Sequence, residues 1–182
     1  MNSGKTTSLL QVAHNYEERG MQVLILKPAT DTKGKAKVLS RLGLSRDVDI
    51  LVPPTKSIRQ LLQSHRNIAC VLIDEAQFLT PDQVDELFWF ATEENIPVMA
   101  YGLRTDFQTQ GFPGSTRLLE LAHDLQEIKT ICRCGKKAVF NGRKLNGKFI
   151  SKGNQVAIEG EDNIEYESLC ASCYEELVRH GA

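Results

Sequence analysis

The sequence has no excess of charge of either sign. Its 182 residues carry 22 lysines and arginines against 23 aspartates and glutamates, a formal net charge of -1. Such a balance gives no bulk attraction to nucleic acid or to anionic membranes. It also lacks an apolar run near the roughly 20 residues that span a bilayer, and it shows no signal-peptide pattern at its start. We therefore predict a cytoplasmic globular protein without a membrane or nucleic-acid partner.

Cysteine is scarce, and its placement is uneven. Four of the five cysteines form two close pairs in the last third of the chain, Cys132 with Cys134 and Cys170 with Cys173. In a chain without secretion signals, this pattern favours a metal site over a disulfide framework. Cys70 lies in an apolar run and is predicted to be a small core residue. A hydrophobic content of 41% is enough for a real core.

Apolar segments alternate between helical and strand patterns, which predicts an α/β fold with a parallel sheet and helices on both faces. A change in composition after Ile131 predicts a nucleotide-binding domain at 1–131 and a small zinc-binding domain at 132–182. A long loop is predicted at 29–46. The predicted helices are 4–19, 57–65, 80–95, 115–123 and 171–180. The predicted strands are 22–27, 49–52, 68–73, 97–103 and 127–131.

The first residues resemble the second half of a phosphate-binding P-loop. Ser3-Gly4-Lys5-Thr6 opens a helical pattern, as in G-x-x-x-x-G-K-[ST]. In this motif Lys5 reaches the β- and γ-phosphates, the Thr6 hydroxyl binds Mg²⁺, and backbone amides from Met1, Asn2 and their neighbours surround the phosphates. The first glycine of the motif and its preceding strand are not in the chain. We expect a misassigned start, or otherwise a sheet with one position unfilled.

Two adjacent carboxylates follow the most apolar strand pattern. Asp74 comes directly after 68–73, where a P-loop protein holds Mg²⁺. Alone it could be an ordinary strand-end residue, but together with Lys5 and Thr6 it predicts ATP binding. Glu75 should point to the other side, where it could accept the proton of an acceptor hydroxyl. The alternatives for Glu75 are activation of water for ATP hydrolysis and a simple solvated charge.

The paired cysteines predict one structural Zn²⁺, held by Cys132, Cys134, Cys170 and Cys173. The alternative is a set of unpaired, buried thiols. The long insert between the pairs contains Gly142, Gly147 and Gly153, a β-like stretch at 155–158, and Tyr166. A segment fixed at both ends could close over a ligand as a lasso. A loose surface hairpin is the other reading.

In order and spacing, these motifs resemble thymidine kinases of the bacterial and vertebrate cytosolic type. The resemblance rests on M-N-S-G-K-T, D-E-A-Q-F, G-L-x-x-D-F and the cysteine pairs around a glycine-rich lasso, and I-C-R-C-G-K-K-A is similar to the enterobacterial branch. It implies ATP-dependent phosphorylation of thymidine or deoxyuridine at the 5′-hydroxyl. It also implies a homotetramer with feedback inhibition by dTTP.

The same resemblance implies roles for individual residues. Glu75 would be the catalytic base and Asp74 the partner of Mg²⁺. The implied ATP and Mg²⁺ residues are Met1, Asn2, Ser3, Gly4, Lys5, Thr6, Asp74, Glu75, Ala76, Gln77 and Arg41. The implied residues around the thymine ring are Phe78, Leu103, Phe107, Val156, Ile158 and Tyr166, with Met1 packing against them. The stretch from Ile158 to Tyr166 departs from the family pattern, which leaves the lasso alignment loose by one or two positions.

Two other functions remain open from the sequence. D-E-A-Q resembles a helicase motif, and zinc-binding segments often contact DNA, so a P-loop ATPase acting on nucleic acid is one alternative. The chain has neither the length nor the basic track expected of a helicase. The second alternative is an inactive kinase that lacks the beginning of its P-loop.

Overall fold

The computed structural model describes residues 3–30, 36–40, 43–157 and 163–181, which form two compact units. The α/β unit contains residues 4–103 and 113–125. The C-terminal unit contains Ser3, residues 104–112 and the described residues from 126 onward. The loop 104–112 therefore packs with the C-terminal segment, whereas a single boundary after residue 131 would assign it to the nucleotide-binding domain. The domain boundary after residue 131 stays a prediction.

The α/β unit is built on a parallel four-stranded sheet with the order β4-β1-β5-β6. The two central strands are runs of apolar residues, as expected for strands covered on both faces. Their partners at the two edges are shorter. The strands are β1 (Gln22–Pro28), β4 (Ile50–Val52), β5 (Ile68–Ile73) and β6 (Val98–Ala100).

Helices cover both faces of this sheet, which confirms the predicted fold class. On one face, Val23 and Ile25 of β1 pack with Leu9 of the first helix. On the other face, the alternate residues Leu24 and Leu26 join a core with side chains from the second and third helices. The helices of this unit are α1 (Lys5–Glu17), α2 (Ile58–Gln63), α3 (Pro81–Glu94) and α4 (Pro113–Leu121).

The start of α3 is fixed by local sequence. The Thr80 hydroxyl accepts a hydrogen bond from the Gln83 amide, and the Gln83 side chain accepts one from the Thr80 amide. Pro81 occupies the first helical position, where its missing N–H costs nothing. The predicted helix start is therefore confirmed.

Two predictions about strands were wrong. The predicted loop at 29–46 contains β2 (Lys37–Leu39), which pairs antiparallel with β3 (Ser45–Asp47). Within 127–131 no strand forms; only Ile131 makes an isolated bridge, to Lys137. A strand needs a hydrogen-bonded neighbour along its length, and this segment instead leads into the turn around the first cysteine pair.

The C-terminal unit contains an antiparallel sheet with the order β8-β7-β9. Its strands are β7 (Phe140–Leu145), β8 (Lys148–Ile150) and β9 (Ile164–Leu169). Helix α5 (Ala171–Tyr174) continues as a wider helical turn over Glu175–Arg179. Residues 155–157, predicted to be β-like, form no strand. Across the described part of the chain, no helix is long and apolar enough to cross a membrane.

Candidate active site and metal centre

The N-terminus of α1 is arranged to receive an anion. Gly4 precedes the helix with φ of 77°, a left-handed conformation that favours glycine. No described side chain caps this end, and its first turn contains no acidic residue. The first amides of any helix lack internal partners, and Lys5 adds a positive charge beside them. The geometry suits the phosphate-binding role predicted for Lys5 and Thr6.

Four predicted site residues lie outside the described part of the chain. They are Met1, Asn2, Arg41 and Ile158. The other predicted residues divide between the two units. Gly4, Lys5, Thr6, Asp74, Glu75, Ala76, Gln77, Phe78 and Leu103 belong to the α/β unit, whereas Ser3, Phe107, Val156, Tyr166 and the four cysteines belong to the C-terminal unit.

Asp74 is a buried carboxylate with an unused acceptor. It follows the last residue of β5, and its amide donates to the Leu26 carbonyl of β1, 3.0 Å away. Its side chain is 4% exposed, and its Oδ1 atom has no hydrogen-bond partner among the described residues. A buried oxygen without a partner is costly in a native structure. A metal ion would satisfy this oxygen, so Asp74 fits the predicted Mg²⁺ ligand.

The charges around Asp74 act in opposite directions. Burial, followed by repulsion from Glu75, raises the pKa of the Asp74 carboxyl to about 6. A backbone hydrogen bond and the charges of Lys27 and Lys5 pull this pKa downward. Lys27 is itself 2% exposed, near the end of β1. This edge of the sheet therefore brings together an acidic group and two lysines, as a site for a magnesium–phosphate complex requires.

Glu75 adopts an unusual backbone conformation. Its φ of 52° is left-handed, a conformation that is uncommon for residues other than glycine, asparagine and aspartate. The Gln77 side-chain Nε2 atom donates to Glu75 Oε2 at 2.5 Å. The Gln77 Oε1 atom accepts from the backbone amide of Leu103 at 3.1 Å. Gln77 is 2% exposed. Gln77 therefore orients the carboxylate that the sequence identified as the candidate base.

Two glycines allow close packing around this carboxylate, and sequence reasoning gave neither of them a role. A Cβ at Gly102 would lie 2.9 Å from Gln77 Oε1, and one at Gly114 would lie 2.5 Å from the Leu79 carbonyl. Both positions require the absence of a side chain because α4 and the strand end approach the turn at 76–79. Gly102 is the first residue of the G-L-x-x-D-F motif, so this motif could have indicated its importance from the sequence.

The other predicted residues of this unit differ in exposure. Ala76 is fully buried, and its amide donates to the Tyr101 carbonyl at 2.9 Å. Phe78 and Leu103 are half-buried. The Leu103 carbonyl accepts from the Ser115 hydroxyl at 2.6 Å. Leu103 is thus fixed through both of its backbone polar groups.

The four paired cysteines come together in one cluster. Their Sγ atoms all lie within 4.8 Å of one another. The first pair lies in a turn closed by the Gly135 amide, which donates to the Cys132 carbonyl at 2.8 Å. Cys170 and Cys173 lie at the start of α5. Four converging thiols fit a closed tetrahedral Zn²⁺ site.

Two of the predicted base-binding residues of the C-terminal unit, Phe107 and Tyr166, contact Arg143. Phe107 is 1% exposed, and its carbonyl accepts a hydrogen bond from the Tyr174 hydroxyl at 2.5 Å. The Arg143 guanidinium lies 3.8 Å from the centre of the Phe107 ring, and its Nε donates to the Tyr166 hydroxyl at 2.8 Å. Val156 is half exposed. Sequence reasoning missed Arg143 because nothing in a single basic residue of a strand signals its burial.

A basic helix start, a buried aspartate at a strand end and an adjacent glutamate define a nucleotide-binding protein of the P-loop class, here with a four-cysteine unit. Comparison with known proteins gives the particular family. A family model described as thymidine kinase matches residues 1–174, so the chain belongs to the thymidine kinase family.

Individual relatives agree over nearly the full chain. The chain is 44% identical to the thymidine kinase of Enterobacteria phage T4 and 48% identical to that of Idiomarina loihiensis, each over 98% of this chain and 93% of the relative. It is 47% identical to the thymidine kinase of Coxiella burnetii, over 93% of this chain and 88% of the relative.

Proposed function

We propose that this protein transfers the γ-phosphoryl group of ATP to the 5′-hydroxyl of thymidine or deoxyuridine. The observation that supports this most directly is the buried Asp74 oxygen at the strand end next to Glu75, which has no partner in the described part of the chain. One carboxylate is then available for a metal–phosphate complex and the other for an acceptor hydroxyl. Membership of the thymidine kinase family supports the choice of nucleoside.

The residues of the α/β unit would divide the work of phosphate transfer. Lys5 and the first amides of α1 would bind phosphate oxygens, and Thr6 and Asp74 would hold Mg²⁺. When bound, Mg²⁺ neutralises charge on the β- and γ-phosphate oxygens. Glu75, oriented by Gln77, would accept the proton of the 5′-hydroxyl as that oxygen attacks phosphorus.

The C-terminal unit would bind the base and one structural Zn²⁺. The cluster of Cys132, Cys134, Cys170 and Cys173 supports the zinc assignment. Phe107, Val156 and Tyr166 are the residues of this unit that we propose for contact with the nucleoside. A cytoplasmic location, a homotetramer and feedback inhibition by dTTP are further proposals, supported by the family resemblance.

A coupled assay of ADP formation tests the proposed reaction. We expect ATP consumption only when thymidine or deoxyuridine is present, with the nucleoside 5′-monophosphate as product. Stimulation by single-stranded DNA in the absence of nucleoside would favour the nucleic-acid ATPase instead. Failure to bind ATP in a titration would favour a chain without catalytic activity.

A further inference from the structure

Arg143 is a buried cation without an acidic partner among the described residues. It lies on β7, is 3% exposed, and has no carboxylate oxygen from the described part of the chain within 4 Å. Burying such a group is costly unless its N–H groups find acceptors. The acceptors that it does find are therefore informative about its role.

Each of three guanidinium nitrogens donates to a different neutral oxygen. Nε donates to the Tyr166 hydroxyl at 2.8 Å, Nη1 to the Asn154 carbonyl at 2.6 Å, and Nη2 to the Gln155 carbonyl at 2.9 Å. The same group lies over the Phe107 ring. A planar fork of donors can reach these oxygens at once, whereas the ammonium of lysine cannot copy that geometry.

These contacts belong to a larger set that shapes residues 153–157, which we call the 153–157 segment. The Gln108 side chain donates to the Gly153 carbonyl at 3.0 Å, and the Tyr166 hydroxyl donates to the Ala157 carbonyl at 3.0 Å. Four of the five carbonyls in the segment thus accept from side chains, although the segment belongs to no strand. Arg143 supplies two of these bonds and contacts the hydroxyl that supplies a third.

The segment is further held at its start and centre. Gly153 has φ of 149°, a conformation that L side chains rarely adopt. The Gln155 side chain donates to Asp106 at 3.1 Å. Within the described residues the Val156 amide donates to no acceptor, and its side chain is 47% exposed. With four of its five carbonyls occupied by side chains, the segment has backbone amides, that of Val156 among them, which donate to no acceptor within the described residues and can meet an acceptor on a ligand.

We propose that Arg143 fixes the 153–157 segment in the conformation that binds the pyrimidine base, and so controls affinity for the nucleoside but not for ATP. The inference rests on the proposed function, because that function makes this segment part of a nucleoside site. Arg143 is a positioning residue, since it would act through the backbone of the segment. Lys5, Thr6 and Asp74, which are proposed to bind phosphate and Mg²⁺, lie in the other unit.

Steady-state kinetics of Arg143→Lys and Arg143→Met, with thymidine and ATP varied separately, test the proposal. Losing one or more hydrogen bonds to a charged group predicts a rise of about tenfold or more in KM for thymidine. KM for ATP should stay within about twofold of wild type. Lys144→Met is the matched control, because the neighbouring Lys144 pairs with Glu167 at 2.7 Å and not with the segment. We expect unchanged kinetics for that variant.

Tyr166→Phe is a milder second variant in case Arg143→Met does not fold. It removes the hydroxyl between Arg143 and Ala157, and should raise KM for thymidine less than Arg143→Lys does. Zinc content and melting temperature distinguish local from global damage. An unchanged KM for thymidine in Arg143→Lys, or an equal rise in both KM values, would overturn the proposal. A wild-type protein that phosphorylates no nucleoside would instead overturn the proposed function.

Discussion

Replacing Asp74 by asparagine should stabilise the protein in the absence of nucleotide and Mg²⁺, while removing its activity. Burial, then Glu75, raises the pKa of this carboxyl from 3.8 to about 6. Because the folded state binds the proton more tightly, stability falls as the pH rises through the interval between these two values. At pH values above this interval the folded protein carries the full cost of the buried charge. That cost is about 3 kcal/mol, since one pKa unit corresponds to roughly 1.4 kcal/mol.

Asparagine has nearly the same shape and no charge, so the variant should recover much of that cost at about pH 7 and almost none below about pH 4. Urea denaturation of both proteins across this range measures the difference. Asp82→Asn, at an exposed position in the first turn of α3, is the matched control and should lower stability by at most about 1 kcal/mol through loss of charge at the helix start. With Mg²⁺ and ATP added, the wild type should gain stability and Asp74→Asn should not.

The reasoning would be refuted if Asp74→Asn were less stable than the wild type at about pH 7 in the absence of ligand. It would also be refuted if the gain in stability were the same at both ends of the pH range. In either case the Asp74 carboxylate would be satisfied inside the protein itself, and its free oxygen would not indicate a metal ligand.

Three further predictions concern Glu75, the packing of Gly114 and the cysteine cluster. Glu75→Gln should lower the rate of transfer by about 100-fold or more while a titration shows nearly unchanged ATP binding; equal loss of binding would contradict the role as base. Gly114→Ala should destabilise the protein by about 1–3 kcal/mol in urea denaturation, because the added Cβ would lie too close to the Leu79 carbonyl. Thr116→Ala on the same helix is the control and should not destabilise the protein. A Gly114→Ala variant more stable than the wild type would disprove the steric argument. Metal analysis should find one zinc per chain, and Cys134→Ser should lower both zinc content and melting temperature; full zinc occupancy in that variant would exclude this thiol as a ligand.

The sequence was sufficient to predict the sheet and its helices because their signals are local. The apolar runs of β1 and β5, and the capping box at Thr80, need no knowledge of the rest of the chain. The β2–β3 hairpin escaped prediction because its strands are three residues long and carry little apolar pattern. The predicted strand at 127–131 failed because a strand depends on a neighbour that its own residues cannot reveal.

The candidate site could be predicted only where a motif fixes the chemistry. Lys5, Asp74, Glu75 and the cysteines stand at spacings that imply phosphate and metal binding. Arg143 and Gln77 were different. Arg143 was not singled out from the sequence. Gln77 was assigned to the ATP site by resemblance, which stays a prediction, and its contact with Glu75 could not be read from the sequence. Their roles come from burial and from partners distant in sequence, which no local pattern encodes.

The α/β unit carries several costs at the place where ligands are proposed to bind. Among the described residues, no side chain caps the start of α1 and none partners the buried Oδ1 of Asp74, and Glu75 adopts a left-handed conformation that costs about 1–3 kcal/mol. A nucleotide with Mg²⁺ would offset the first two, because phosphate oxygens accept from the amides and the metal satisfies the carboxylate. Without ligand, these unfavourable features lower the stability of this edge of the sheet. Binding of ATP and Mg²⁺ should therefore stabilise this edge more than any other part of the α/β unit. Hydrogen exchange of the amides at the start of α1 and after β5, with and without Mg²⁺ and ATP, would locate that gain directly.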